Sequence, residues 1–127
     1  MFSVDEEEFR KIVGEAIDAI PEHYAKNIKN LAFVVEDYPS EAQRQRNNLK
    51  PNQTLLGLYE GVPLTQRNGN YNLVLPDKIT IFKLPIEQNS NSLEQLKAVV
   101  GKTVWHEVAH FYGLGHGRIH ELENRHE

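Results

Sequence analysis

The sequence contains no cysteine. Disulfides, thiolate zinc sites, iron–sulfur clusters and cysteine nucleophiles are therefore excluded. It also lacks a basic excess: 14 Lys and Arg face 18 Asp and Glu, a net charge of −4. A protein that binds nucleic acid by neutralising phosphates needs the opposite balance, so no nucleic-acid partner is expected. No stretch approaches the ~18 consecutive apolar residues of a membrane span. The opening MFSVDEEEF places acids where a secretory leader would carry basic residues and then an apolar run, so a cytoplasmic location and no membrane association are expected.

What remains is a chain of 127 residues, 25% charged and 39% hydrophobic, the composition of a soluble globular protein. The length fits one domain over residues 1–127 and buries roughly two-thirds of the unfolded surface, enough for an ordinary core. A monomer is expected.

Hydrophobic spacing divides the chain into three parts. Over residues 4–20, Phe9, Ile12, Val13, Ala16, Ile17 and Ile20 recur at three- and four-residue steps, which predicts an amphipathic helix. Ser3 with Glu6 fits a capping box, Pro21 ends the helix, and residues 22–28 can form one further turn. Its acidic run, Asp5 to Glu8, reads as a solvated helix start that suits the helix dipole.

The middle is strand-like, with runs at 31–35, 55–59 and 79–84 and a weaker one at 71–75. Polar, turn-rich segments separate them, Asn68-Gly69 among them, and residues 40–46 suit a short polar helix. The third part is a long helix, with Ser92 as N-cap, Gln95 as its capping-box partner, and Gly113 as the left-handed residue that stops it. Gly101 lies inside this helix, and close packing against a neighbouring backbone is its expected reason. Ile119 and Leu122 anchor a short final helix.

The chemistry lies in residues 106–116, HEVAHFYGLGH. His106 and His110 are four apart on a helix, so both imidazoles project from one face. They offer two nitrogen donors to one zinc ion (Zn2+), at about 2.0–2.1 Å each. Glu107 is rotated from His106 by about 100° and can lean towards a water on the metal without ligating it. This is the HExxH arrangement of zinc peptidases, in which the carboxylate acts as general base. Gly113 lets the chain reverse and Gly115 adds freedom, so that His116 can return as third ligand. Three imidazoles leave a fourth position for water, whose pKa such a site lowers to about 7.

The motif resembles that of the metzincin metallopeptidases. No methionine follows Met1, however, and metzincins carry a methionine turn beneath the metal. The wider chain is more similar to the small bacterial zincin-like proteins, a minimal metalloprotease family. Residues 55–64 (LLGLYEGVPL), residues 75–82 (LPDKITIF) and the motif at 106–116 carry the similarity. Members often have aspartate where this chain has His116. The resemblance implies an α+β fold, with a short mixed β-sheet packed against an N-terminal helix and a C-terminal metal-binding helix. It implies a zinc metallopeptidase acting on a peptide or protein substrate, with His106, His110 and His116 as ligands and Glu107 as catalytic base.

An extended substrate could pair with a strand edge, that of residues 79–84 being one candidate. Tyr59, Tyr71 and Tyr112 are candidate phenol donors to an oxyanion, although packing roles suit each better. Glu60 could orient a ligand imidazole. Trp105 is expected to pack beside the site, and His23, His120 and His126 to lie on the surface. Two other classes remain open. One is a noncatalytic zinc-binding or interaction protein on the same frame. The other is a metal-dependent endoribonuclease, a family that shares the histidine spacing but lacks a glutamate directly after the first histidine.

Overall fold

A computed structural model of the chain describes residues 1–28, 31–61 and 77–113. The elements run α1 (Glu6–Asp18), α2 (Glu22–Ala25), β1 (Ala32–Glu36), α3 (Glu41–Arg46), β2 (Gly57–Glu60), β3 (Lys78–Phe82), α4 (Lys83–Gln88) and α5 (Leu93–Phe111). The fold is α+β. A three-stranded mixed sheet in the order β1-β3-β2 packs against α1 and α5, with β3 parallel to β1 and antiparallel to β2.

α1 begins two residues later than its hydrophobic pattern suggests. Asp5, not Ser3, is the cap, accepting a hydrogen bond from the Glu8 amide at 2.8 Å. A carboxylate directly before three further acids serves the positive helix end as well as a hydroxyl would. Phe9, Ile12 and Val13 form the buried stripe. α3 matches expectation: Ser40 Oγ accepts from the Gln43 amide at 3.1 Å, and Gln43 Oε1 accepts from the Ser40 amide at 2.9 Å. β1 and β2 lie within one or two residues of the runs expected.

The third strand run requires correction, because residues 83 and 84 belong to α4. Pro85 lies in the first turn of that helix, where its missing N–H takes nothing from the ladder. Lys83 Nζ and Glu87 Oε2, one turn apart, are 3.0 Å from each other with side chains 13% and 1% exposed. Glu87 also anchors the chain start, accepting from the Val4 amide at its carboxylate and from the Phe2 amide at its carbonyl.

α5 is the hub of the fold, touching α1, α4, β2 and β3. Ser92 caps it as expected, accepting from the Gln95 amide at 3.1 Å, but the Gln95 side chain accepts from Asn91 rather than Ser92. Leu96, Val100, Val104 and Val108 are essentially excluded from solvent and meet Phe9, Ile79 and Ile81 in one core. Gly101 departs from expectation: a Cβ there would meet nothing within 4 Å. The strand expected at 71–75, the turn at Asn68-Gly69 and the final helix lie outside the described residues.

Candidate metal centre

His106 and His110 occupy the last two turns of α5, where helical spacing stacks them on one face. Their Nε2 atoms are 3.0 Å apart and the rings meet edge to face. Two imidazole nitrogens on one tetrahedral zinc ion would lie roughly 3.3 Å apart, given zinc–nitrogen distances near 2.05 Å. The pair therefore fits a shared ion with almost no rearrangement. Together with Glu107 the two histidines place three metal-capable atoms within 4.8 Å of one another. Both imidazoles are half-buried, whereas Glu107 is only 7% exposed.

The burial of Glu107 comes from β2. Its Oε1 accepts a hydrogen bond from the Tyr59 backbone amide at 3.0 Å, which ties the helix to the strand beside the histidines. Burial raises the carboxyl from 4.5 to about 7, the Tyr59 amide pulling the other way. A carboxyl so placed both accepts and returns a proton near neutral pH.

Such close approach of helix and strand requires a glycine at position 57. A Cβ there would lie 2.6 Å from Thr103 Cγ2 and 3.2 Å from Glu107 Cγ. Thr103 is held in that rotamer by donating to the Val99 carbonyl at 2.7 Å. Gly57, Tyr59 and Thr103 thus set where Glu107 stands. A glycine inside an apolar strand run is a sequence signal for close backbone approach, and it applied at Gly57 rather than at Gly101.

α5 ends as its sequence requires. Tyr112 is the C-cap, and Gly113 takes φ 77° and donates to the His110 carbonyl at 2.9 Å. His116, the third expected ligand, lies outside the described residues, as do Gly115, Tyr71, His120 and His126.

Other candidates have structural partners. The Tyr59 hydroxyl donates to Asp77 Oδ2 at 2.8 Å, and the Tyr112 hydroxyl donates to the Tyr24 carbonyl. Burial pushes the Tyr112 phenol up, against a lowering contribution from Asn27. Trp105 is buried edge-on to the Tyr24 ring at 5.0 Å, and His23 is exposed. Glu60 does not orient an imidazole. It receives Gln43 Nε2 at 3.0 Å and Arg46 at 3.1 Å, bracing α3 against the sheet.

The strand-edge expectation is also corrected, because β3 is the middle strand and both its edges are paired. A cavity of about 350 Å3 opens beside His106 and Glu107, between residues 54–57 and the α5 face that also carries Lys102 and Thr103. Among the described residues, no helix is long and apolar enough to cross a membrane.

Comparison with known proteins agrees with this arrangement. No curated protein sequence matches the chain. The structure resembles that of a conserved hypothetical protein from Thermo thermophilus, with a TM-score of 0.57 and 18% identity, covering 95% of this chain and 99% of that one. At that identity the likeness speaks for the fold alone. The model of the zincin-like metallopeptidase family matches residues 28–126, from ahead of β1 to beyond the histidine pair. With most of its length matched and the His-Glu-His cluster in place, the chain belongs to the zincin-like metallopeptidase family.

Proposed function

We propose that the protein is a zinc-dependent peptidase that hydrolyses peptide bonds in peptide or protein substrates. The observation that carries this reading is the position of Glu107, buried beside two converging imidazoles and oriented by a backbone amide. His106 and His110 would hold the metal, with His116 as third ligand supplied by the chain beyond Gly113. A zinc ion there supplies Lewis acidity, which polarises a carbonyl and acidifies water.

The chain's own part is proton handling. Tyr59 N–H holds Oε1 of Glu107, leaving the second carboxylate oxygen to take the proton from the attacking water. The same oxygen then delivers it to the leaving amine. The low-polarity surroundings push the carboxyl up in the absence of metal, and a zinc ion beside it would draw it back towards the carboxylate form that takes the proton. In this reading the protein acts in the cytoplasm as a monomer.

The test is cleavage of a mixed peptide library by zinc-loaded protein, read by mass spectrometry beside Glu107→Gln. Cleavage by the wild type, lost in a variant that still binds zinc, is the expected result. Equal behaviour of the two fully loaded proteins would refute the peptidase reading and favour a metal-binding module. Cleavage of an RNA pool instead would favour the endoribonuclease.

A further inference from the structure

We propose that the cavity beside Glu107 is a pocket for a carboxylate of the substrate, received at Lys102. The inference rests on the peptidase reading and names the substrate chemistry that this chain's own residues select.

The cavity, about 350 Å3, is continuous with the catalytic pair, since His106 and Glu107 form one end of its wall. That size lies at the lower limit of small-ligand pockets, with room for one side chain or one chain end. Its flanks are apolar: Leu55 and Leu56 are half-buried, and Thr103 turns its methyl towards Gly57. Lys102 stands at the other end, exposed, four residues before His106 and therefore on the same face of α5, about 5–6 Å away along the helix. Among the described lining residues it carries the one permanent positive charge.

Charge complementarity then orders the pocket. A substrate acid at the Glu107 end would meet a buried carboxyl, which disfavours it. At the Lys102 end it meets an ammonium, and the intervening methylene groups lie along Leu55, Leu56 and the Thr103 methyl. Lys102 has an interaction of its own. An ammonium carries three donors, and the substrate carboxylate would share or displace that partner. The favoured residue beside the scissile bond therefore ends in a carboxylate, either a glutamate side chain or the C-terminus of the peptide. Because Lys102 is exposed, the preference is modest, about two- to fivefold, and weakens with salt.

The experiment uses zinc-loaded wild type and Lys102→Glu, with three short peptides capped by a hydroxamate that binds zinc and resists hydrolysis. One carries glutamate with an amidated end, one glutamine with a free C-terminal carboxylate, and one glutamine with an amidated end. Binding is measured by calorimetry at low salt. The expected result is two- to fivefold tighter binding of at least one carboxylate peptide over the neutral one. Which of the two binds tighter identifies the source of the carboxylate. The order should invert in Lys102→Glu, a combined change of roughly tenfold.

Equal binding of all three, or a preference unchanged in Lys102→Glu, would overturn the proposal. Cleavage of the corresponding uncapped peptides is followed in parallel. Selective binding without cleavage would leave the pocket standing and remove the peptidase reading. Cleavage with no carboxylate preference would do the reverse.

Discussion

Burial of Glu107 has a cost that the metal-free protein should reveal. Its carboxyl stands at about 7 in the folded chain against 4.5 in the unfolded one, because desolvation disfavours the charged form. The folded state therefore binds the extra proton between those values. The contribution of Glu107 to stability is therefore most favourable below pH 4.5, falls as pH rises from there through about 7, and levels off above. The shift of about 2.5 units corresponds to roughly 3 kcal/mol at 1.36 kcal/mol per unit.

Glu107→Gln should remove that penalty. Glutamine has the same shape, keeps an acceptor for the Tyr59 amide and does not titrate. With a chelator present, urea unfolding at pH 8 should show the variant more stable by about 2–3 kcal/mol. For a chain of this size that is a midpoint shift of about 1–2 M at unchanged slope. By pH 4.5 the difference should vanish. A variant that is no more stable than wild type at pH 8, or a difference constant across pH, would refute the reasoning.

Gly57→Ala should destabilise the protein by about 1–3 kcal/mol through overpacking against Thr103 Cγ2 and Glu107 Cγ. Adding Thr103→Ser removes the offending methyl and should recover much of the loss, as read by urea midpoints. Zinc at 100 times its dissociation constant should stabilise the wild type by about 2.7 kcal/mol. His110→Ala should abolish most of that gain in thermal unfolding, and a full zinc-induced shift in the variant would argue against the site. Lys83→Met should cost about 3–5 kcal/mol, because it leaves the Glu87 carboxylate buried beside an apolar side chain. The double variant Lys83→Met with Glu87→Met should be much closer to wild type in the same assay, and a cost equal to that of the single change would refute this account.

The ends of the long helix were legible from local rules alone. Ser92 caps α5 and Gly113 stops it at positive φ, as side-chain chemistry and backbone sterics require. The spacing of His106 and His110 likewise settles their convergence, since one turn of helix brings them together whatever else the chain does. The exchange of Ser3 for Asp5 as the α1 cap reflects two eligible neighbours, between which local preference decides weakly. The strand ending at Phe82 rather than residue 84 was harder to read, because Lys83 and Leu84 fit either an alternating strand or a first helical turn.

By itself, then, the sequence determined the metal-capable pair, the helix that carries it and the helical or strand character of α1, β1, α3 and β2, because each follows from contacts within a few residues. Only the tertiary structure decided which strand is central, which glycine permits close packing and what holds Glu107. β3 sits between β1 and β2, Gly57 rather than Gly101 meets a neighbour, and the Tyr59 amide, 48 residues away in sequence, orients the carboxyl. Strand order and helix–strand approach depend on residues distant along the chain, and a backbone amide leaves no signature in the residue type that bears it.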